Sequence, residues 1–241
     1  MSNRTTQVSP QVYARVAGLL FLITIVAGII AQMFISGKLV VDGDAAATAA
    51  NILTHRDMFQ LGFTVYLIEM ASQIAQTALF YILLKPVSRN VALLAMIFSL
   101  VGCIIKTLSR LFYIAPLLVL GDIHYLSVFT TEQLQALALL LLNVNDKAAG
   151  MALAFFGFST FLNGYLVIRS TFLPRFLGVL SVVGGVGWLT FLYPPLGLQL
   201  FPYIVVLGVL GSIALILWLL VKGVNTAKWE AMVSAAQGVG A

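Results

Sequence analysis

The sequence predicts an all-α fold: a polytopic integral membrane bundle of six transmembrane helices, with two amphipathic helices on its outer side. Three observations carry this reading. Of 241 residues, 61% are hydrophobic and 9% charged, whereas a soluble domain averages about 45–50% apolar and about 25% charged. The apolar residues collect in runs of about 20 or more, a length that matches the hydrocarbon core of a bilayer. The charges gather at the ends of those runs, as they do beside membrane spans.

The spans fall at 12 to 35, 58 to 84, 91 to 119, 148 to 168, 174 to 193 and 201 to 221, within a single transmembrane domain covering 1–241. Residues 222–241 read as a short cytoplasmic tail. The first run, Val16 to Ile35, exceeds the apolar core of a secretory signal and no small-x-small site ends it, so it reads as an uncleaved span.

An even number of spans puts both termini on one side. The segments on that side carry Arg4, Arg15, Lys85, Arg89, Arg169, Arg175, Lys222 and Lys228, against only Lys38, Arg56 and Lys147 in the opposite loops. Those loops hold six of the eight acids, Asp42, Asp44, Asp57, Asp122, Glu132 and Asp146. The excess of basic residues places both termini in the cytoplasm.

The two long outer loops each read as a helix. Asp44 is placed to cap Ala45 to Leu53, and Thr131 to Val144 sets Leu134, Leu137, Ala138 and Leu141 on one face. Each is expected to lie on the membrane or over the mouth of the bundle, and to end in a charged break, His55-Arg56-Asp57 or Asn145-Asp146-Lys147, before the chain re-enters the bilayer. The outward-going spans begin alike, Arg15-x-x-Gly18-x-Leu20, Arg89-x-x-Ala92-x-Leu94 and Arg175-x-x-Gly178-x-Leu180. This fits either three related hairpins or the generic start of a cytoplasm-anchored span. In the fifth span Gly178, Ser181, Gly184, Gly185 and Gly187 predict close helix packing, with a hinge-like gate as the rival reading. Pro194-Pro195 ends that span in an outer turn. Trp188, Tyr193, Tyr203, Trp218 and Trp229 stand at or near span ends as interfacial anchors.

Little points to soluble chemistry. The single cysteine, Cys103, forbids an intramolecular disulfide and reads as a packing residue. The net charge of +5 comes from Lys and Arg scattered singly at run ends, which is a topological pattern and assigns no nucleic-acid partner. No zinc spacing, phosphate loop or nucleophile elbow occurs, so no catalytic residue, cofactor or metal is assigned. His55 and His124 read as solvated loop side chains.

The informative residues are the charges inside spans: Glu69 in the second, Lys106 and Arg110 in the third. At about 1.5 Å per residue, Glu69 and Lys106 both lie roughly 22 Å above the cytoplasmic turn that joins their spans. The spans are antiparallel neighbours, so a Glu69–Lys106 ion pair is geometrically allowed, and pairing is the usual escape from a cost of about 2.5–3.5 kcal/mol per mid-bilayer charge. At about 100° per residue, Tyr66, Glu69, Ser72, Gln73 and Gln76 share one sector of the second span. Ser99, Cys103, Lys106, Ser109, Arg110 and Tyr113 share one of the third. The two stripes face each other or a common cavity, to which Asn163 and Gln32 add amide groups. Arg110 has no acidic partner at its depth, so three accounts stand open. Its stem snorkels to the outer surface, carbonyls freed by Pro116 accept its hydrogen bonds, or it joins Lys106 in binding the carboxylate or phosphate of a lipid or metabolite.

Several segments carry a family likeness: Arg15-Val-Ala-Gly-Leu-Leu-Phe-Leu-Ile, Gly37-Lys38-Leu-Val-Val-Asp-Gly-Asp44-Ala-Ala-Ala-Thr-Ala-Ala-Asn51-Ile-Leu, Leu84-Lys85-Pro86-Val-Ser-Arg89-Asn90, and Gly164-Tyr165-Leu-Val-Ile-Arg169-Ser with Leu173-Pro174-Arg175. Together they resemble the bacterial membrane proteins grouped as domain-of-unknown-function family 4386, over about residues 10 to 222. The resemblance implies a multi-pass protein of the bacterial inner membrane and supplies no catalytic residues.

Four functions are compatible with these residues. The first is a binding module, a sensor or accessory subunit, holding an anionic lipid or small anionic molecule among Glu69, Gln73, Gln76, Lys106, Arg110, Tyr113 and Asn163. A small transporter or channel would use the same stripes as its pathway and favour a homo-oligomer or a membrane partner. A third reading makes the Glu69–Lys106 pair a structural device that fixes helix register. The fourth, an intramembrane enzyme with Glu69 as base, lacks a second carboxylate, histidine or metal cluster to assist it.

Overall fold

A computed structural model describes residues 9–121 and 123–238. Arg4 and Asp122, used above in reading orientation, lie outside the described residues. Six helices are long and apolar enough to cross a membrane. The elements are α1 (Pro10–Ile29), which continues as a π-helical stretch Ile30–Ser36 and a last turn Gly37–Leu39; α2 (Ala45–Thr54); α3 (Arg56–Leu84); α4 (Arg89–Ile114), extended by Pro116–Val119; α5 (Thr131–Arg169); α6 (Arg175–Leu189), extended by Thr190–Leu192; α7 (Pro194–Val221); and α8 (Thr226–Gly238). No strand occurs among the described residues. The expected outer helix α2 forms as a separate element. Asp44 caps it, its Oδ1 accepting from the Ala47 amide at 2.8 Å. Thr48 Oγ1 accepts from the Val41 amide at 2.9 Å, and Asn51 Nδ2 donates to the Leu39 carbonyl at 3.2 Å, fastening α2 to the segment before it.

One expectation is corrected. The chain does not break at Asn145-Asp146-Lys147, because α5 runs unbroken for 39 residues from Thr131 to Arg169. The helix carries this polar triplet with Asn145 buried, 2% exposed, and with Asp146 and Lys147 exposed. At about 1.5 Å per residue α5 is about 58 Å long, more than the ~40–45 Å of a bilayer with its head groups. The second outer amphipathic helix is therefore the first part of the fourth spanning helix.

The chain divides into two compact units, and α1, α3, α4 and α5 contribute to both. Unit 1 comprises residues 1–22, 73–102 and 153–241. Its core packs Ala14 and Ala17 of α1 against Leu83 and Leu84 of α3, Leu166 of α5 and Leu219 of α7. Here α5 and α6 approach through glycine. A Cβ on Gly164 would stand 2.7 Å from the Val182 amide nitrogen, and one on Gly185 2.6 Å from that of Phe161. Without water to drive helix association, such backbone contact is the main attraction between spans. Gly178 and Gly185 of α6 thus build tight packing; Thr77 Oγ1 and Ser99 Oγ, 2.6 Å apart, add a buried polar bond between α3 and α4.

Unit 2 comprises residues 23–72 and 103–152. Its apolar core includes Ala31 and Ile35 of the wide-turn stretch, Ile52 of α2, Phe59 of α3, Leu117 after α4 and Leu142 of α5. Leu61 and Ile68 of α3 and Ile104, Leu108 and Leu111 of α4 are exposed. These apolar faces suit contact with lipid.

Candidate functional site

The polar cluster lies within unit 2, where α3 and α4 run antiparallel and meet in rungs one helical turn apart. Lys106 Nζ donates to Glu69 Oε1 at 2.5 Å, forming the single ion pair among the described residues. One turn back along α3 and one turn on along α4, the Arg110 guanidinium lies over the Tyr66 ring, 3.6 Å from its centroid. A further turn brings Tyr113 to Gly62, where a Cβ would stand 2.5 Å from the Tyr113 hydroxyl. Tyr113 stacks on Phe59, centroids 4.4 Å apart, and meets Tyr66 edge-on at 5.2 Å. The 3–4 residue spacings of Phe59, Gly62, Tyr66 and Glu69, and of Lys106, Arg110 and Tyr113, put each set on one helix face.

The first span supplies the third wall. Gly28 leaves room for the carboxylate, since a Cβ there would sit 3.1 Å from Glu69 Oε1. Just beyond it the helix widens into the π-helical turns of Ile30–Ser36, a distortion frequent at functional sites. Gln32, in those turns, accepts a hydrogen bond from the Tyr66 hydroxyl at 2.7 Å.

Arg110 is 1% exposed. It does not snorkel, and its hydrogen bond does not go to a carbonyl freed by Pro116. Its Nη1 donates to Asn145 Oδ1 at 2.9 Å, and Asn145 Nδ2 donates to Asp146 Oδ1, also at 2.9 Å. An amide thus relays the guanidinium to a carboxylate on α5. The sequence reading found no acid at this depth because it placed Asn145 and Asp146 in a loop. With Asp146 included, two cations face two carboxylates and the cluster is formally neutral.

Its hydrogen bonding is incomplete. Glu69 Oε2 and Arg110 Nε are buried and have no partner among the described residues. The Lys106 ammonium carries three hydrogens, and among the described residues Glu69 is its hydrogen-bond acceptor. An acceptor and several donors of one cluster are therefore available in an apolar setting, where an unsatisfied buried polar group costs about 1–3 kcal/mol.

Of the residues singled out by sequence, Glu69, Lys106, Arg110 and Tyr113 come together in unit 2, with Gln32 beside them. Gln73, Gln76 and Asn163 belong to unit 1. There the Gln73 carbonyl accepts from Thr77 Oγ1 at 2.8 Å, Gln76 is 7% exposed with its Oε1 unpartnered among the described residues, and Asn163 Nδ2 donates to Ser159 Oγ at 3.4 Å. Asn145, Asp146, Gly28 and Gly62 are the contributors that sequence reasoning missed. The glycines gave no signal, because a glycine that admits a side chain looks like any other until its neighbour is known. No group of three or more His, Cys, Asp or Glu able to hold a metal occurs among the described residues.

An uncharacterized protein of Archaeoglobus fulgidus (strain ATCC 49558 / DSM 4304 / JCM 9628 / NBRC 100126 / VC-16) is 28% identical over 151 residues, covering 59% of this chain and 72% of that protein. No solved structure matches the chain. The family described as Domain of unknown function (DUF4386) matches residues 16–223, so this multi-pass helical chain belongs to that family.

Proposed function

We propose that the protein is a binding module of the bacterial inner membrane, with both termini cytoplasmic, that holds an acidic ligand at the Glu69–Lys106–Arg110 cluster. The ligand class is a carboxylate or phosphate on a small molecule or a lipid head group. The observation that carries this reading is the pair of buried, unpartnered atoms, Glu69 Oε2 and Arg110 Nε, one turn apart on facing helices. An acidic oxygen of the ligand accepts from Arg110 Nε and from Lys106, and a hydroxyl of the ligand donates to Glu69 Oε2. Charge-assisted bonds of this kind are roughly twice as strong as neutral ones. The stacking of Arg110 on Tyr66 and its bond to Asn145 hold the guanidinium in place before a ligand arrives, which lowers the ordering cost of binding.

Thermal unfolding in lipid nanodiscs tests the reading. Saturation of the wild type with its ligand, from a panel of short carboxylates and phosphate monoesters, is expected to add about 2.7 kcal/mol of stability at a hundredfold excess over Kd. The variant Glu69→Gln/Lys106→Met, which removes the ion pair, is expected to fold and to gain nothing. A panel that leaves the wild-type melt unchanged, or that shifts both proteins equally, contradicts it.

The neutrality of the cluster favours a second reading, a purely structural ion pair that sets the register of α3 against α4. A polar pair buried in a helix interface has its best-attested role in specifying register. In that case the pair is strongly coupled in stability and no acid binds.

A further inference from the structure

The segment read from sequence as a cytoplasmic tail is a helix that walls a cavity. In unit 1, α8 is held against the ends of α1 and α3. Trp229 Nε1 donates to the Leu83 carbonyl at 2.9 Å, and Gln11 bridges the α7–α8 link, accepting from the Val224 amide at 3.0 Å and donating to the Lys222 carbonyl at 2.8 Å. Gly223, with φ +66°, makes the reversal that lets α8 fold back, a conformation natural to glycine. Between α1, the turn joining α3 to α4, and α8 lies a cavity of about 730 Å³, lined by Tyr13, Tyr81, Lys85, Arg89, Trp229 and Glu230 among others.

The lining has the chemistry of a membrane interface. Three aromatic rings with polar edges stand beside two cations and one carboxylate, a net charge of +1. Lys85 and Arg89 are exposed. The single ion pair among the described residues lies elsewhere, so neither cation is in ion-pair contact with Glu230. Ile82 and Val233 add apolar surface to the same walls. Tyrosine and tryptophan concentrate at head-group level, and basic pockets at the ends of spanning helices take anionic head groups. The volume lies within the ~300–1,000 Å³ of ordinary ligand pockets.

We propose that this groove seats the phosphate of an anionic phospholipid, with Lys85 and Arg89 contacting the phosphate oxygens and Tyr13, Tyr81 and Trp229 flanking the glycerol region. The site is separate from the Glu69 cluster and stands or falls independently of it. Lipid bound there clamps α8 to the bundle.

Trp229 reports on the groove directly. In a protein carrying Trp188→Phe and Trp218→Phe, embedded in phosphatidylcholine nanodiscs, Trp229 emission is expected to shift and saturate as phosphatidylglycerol is added. In Lys85→Gln/Arg89→Gln the midpoint is expected to move about tenfold or more to higher anionic lipid, from ~1 kcal/mol per basic residue. In Lys85→Gln alone the move is smaller, which provides a second variant should the pair disturb folding. Arg169→Gln/Arg175→Gln removes two exposed cations from outside the groove and is expected to leave the midpoint in place. An unchanged midpoint in the groove variants overturns the proposal. So does an equal loss in Arg169→Gln/Arg175→Gln, which would mark a diffuse surface effect. Saturation by inorganic phosphate in pure phosphatidylcholine discs also overturns it, in favour of a free-phosphate site.

Discussion

Glu69→Gln is expected to destabilise the folded protein by about 3–5 kcal/mol, the cost of stranding one member of a buried ion pair. The amide retains the volume of the acid and one acceptor oxygen, so packing against Gly28 survives. The Lys106 ammonium, held at 2.5 Å in the wild type, then stands beside a neutral group within a membrane-spanning helix. Lys106→Met alone is expected to cost a similar amount, by leaving the carboxylate without a cation. The double variant replaces the pair with an amide and a thioether and is expected to recover most of the loss. Thermal unfolding of all four proteins closes a double-mutant cycle, in which a loss in the double variant far below the sum of the two single losses marks direct contact. Strictly additive effects would show that the pair contributes nothing as a pair.

Gly185→Ala is the second large expected effect, and its neighbour is the control. A Cβ on Gly185 would meet the Phe161 amide nitrogen at 2.6 Å and its Cα at 2.8 Å. Both are backbone atoms of α5, so relief requires moving one spanning helix off another. Overpacking of this kind typically costs about 1–3 kcal/mol, and rigid surroundings raise it. One residue earlier, a Cβ on Gly184 would come no closer than 3.8 Å to the Gly208 Cα. Gly184→Ala is therefore expected to be neutral or stabilising, since alanine gains about 0.8–1 kcal/mol over glycine in a helix. Similar losses at both positions would mean that a hinge, rather than the α5–α6 approach, explains these glycines.

The membrane class and the α3–α4 pairing were legible because they rest on short-range rules. Run length identifies spans, and a short connection forces Glu69 and Lys106 to comparable depth on antiparallel helices. The partner of Arg110 was illegible for a physical reason. Asn145-Asp146-Lys147 has the composition of a loop, yet the helix continues through it and Asn145 accepts a tertiary bond from Arg110. The buried guanidinium thus finds its hydrogen-bond acceptor 35 residues away in sequence. The π-helical stretch of the first span was equally hidden, because Ile30–Ser36 has no proline or charge to mark the change in helix geometry. The C-terminal segment carried one overlooked signal. Trp229, read as an interfacial anchor, also donates its indole N–H to the Leu83 carbonyl and packs α8 onto the bundle.

Native mass spectrometry of the gently extracted protein tests the binding role of the Glu69–Lys106–Arg110 cluster most directly. The wild type and Lys85→Gln/Arg89→Gln are expected to carry one discrete bound acidic species that Arg110→Gln lacks. Arg110→Lys, which keeps the cation and loses the Nε donor, is expected to hold it weakly. A wild type that carries no such mass, or retention in Arg110→Gln of the species that Lys85→Gln/Arg89→Gln carries, would contradict the account and leave the cluster as a structural ion pair.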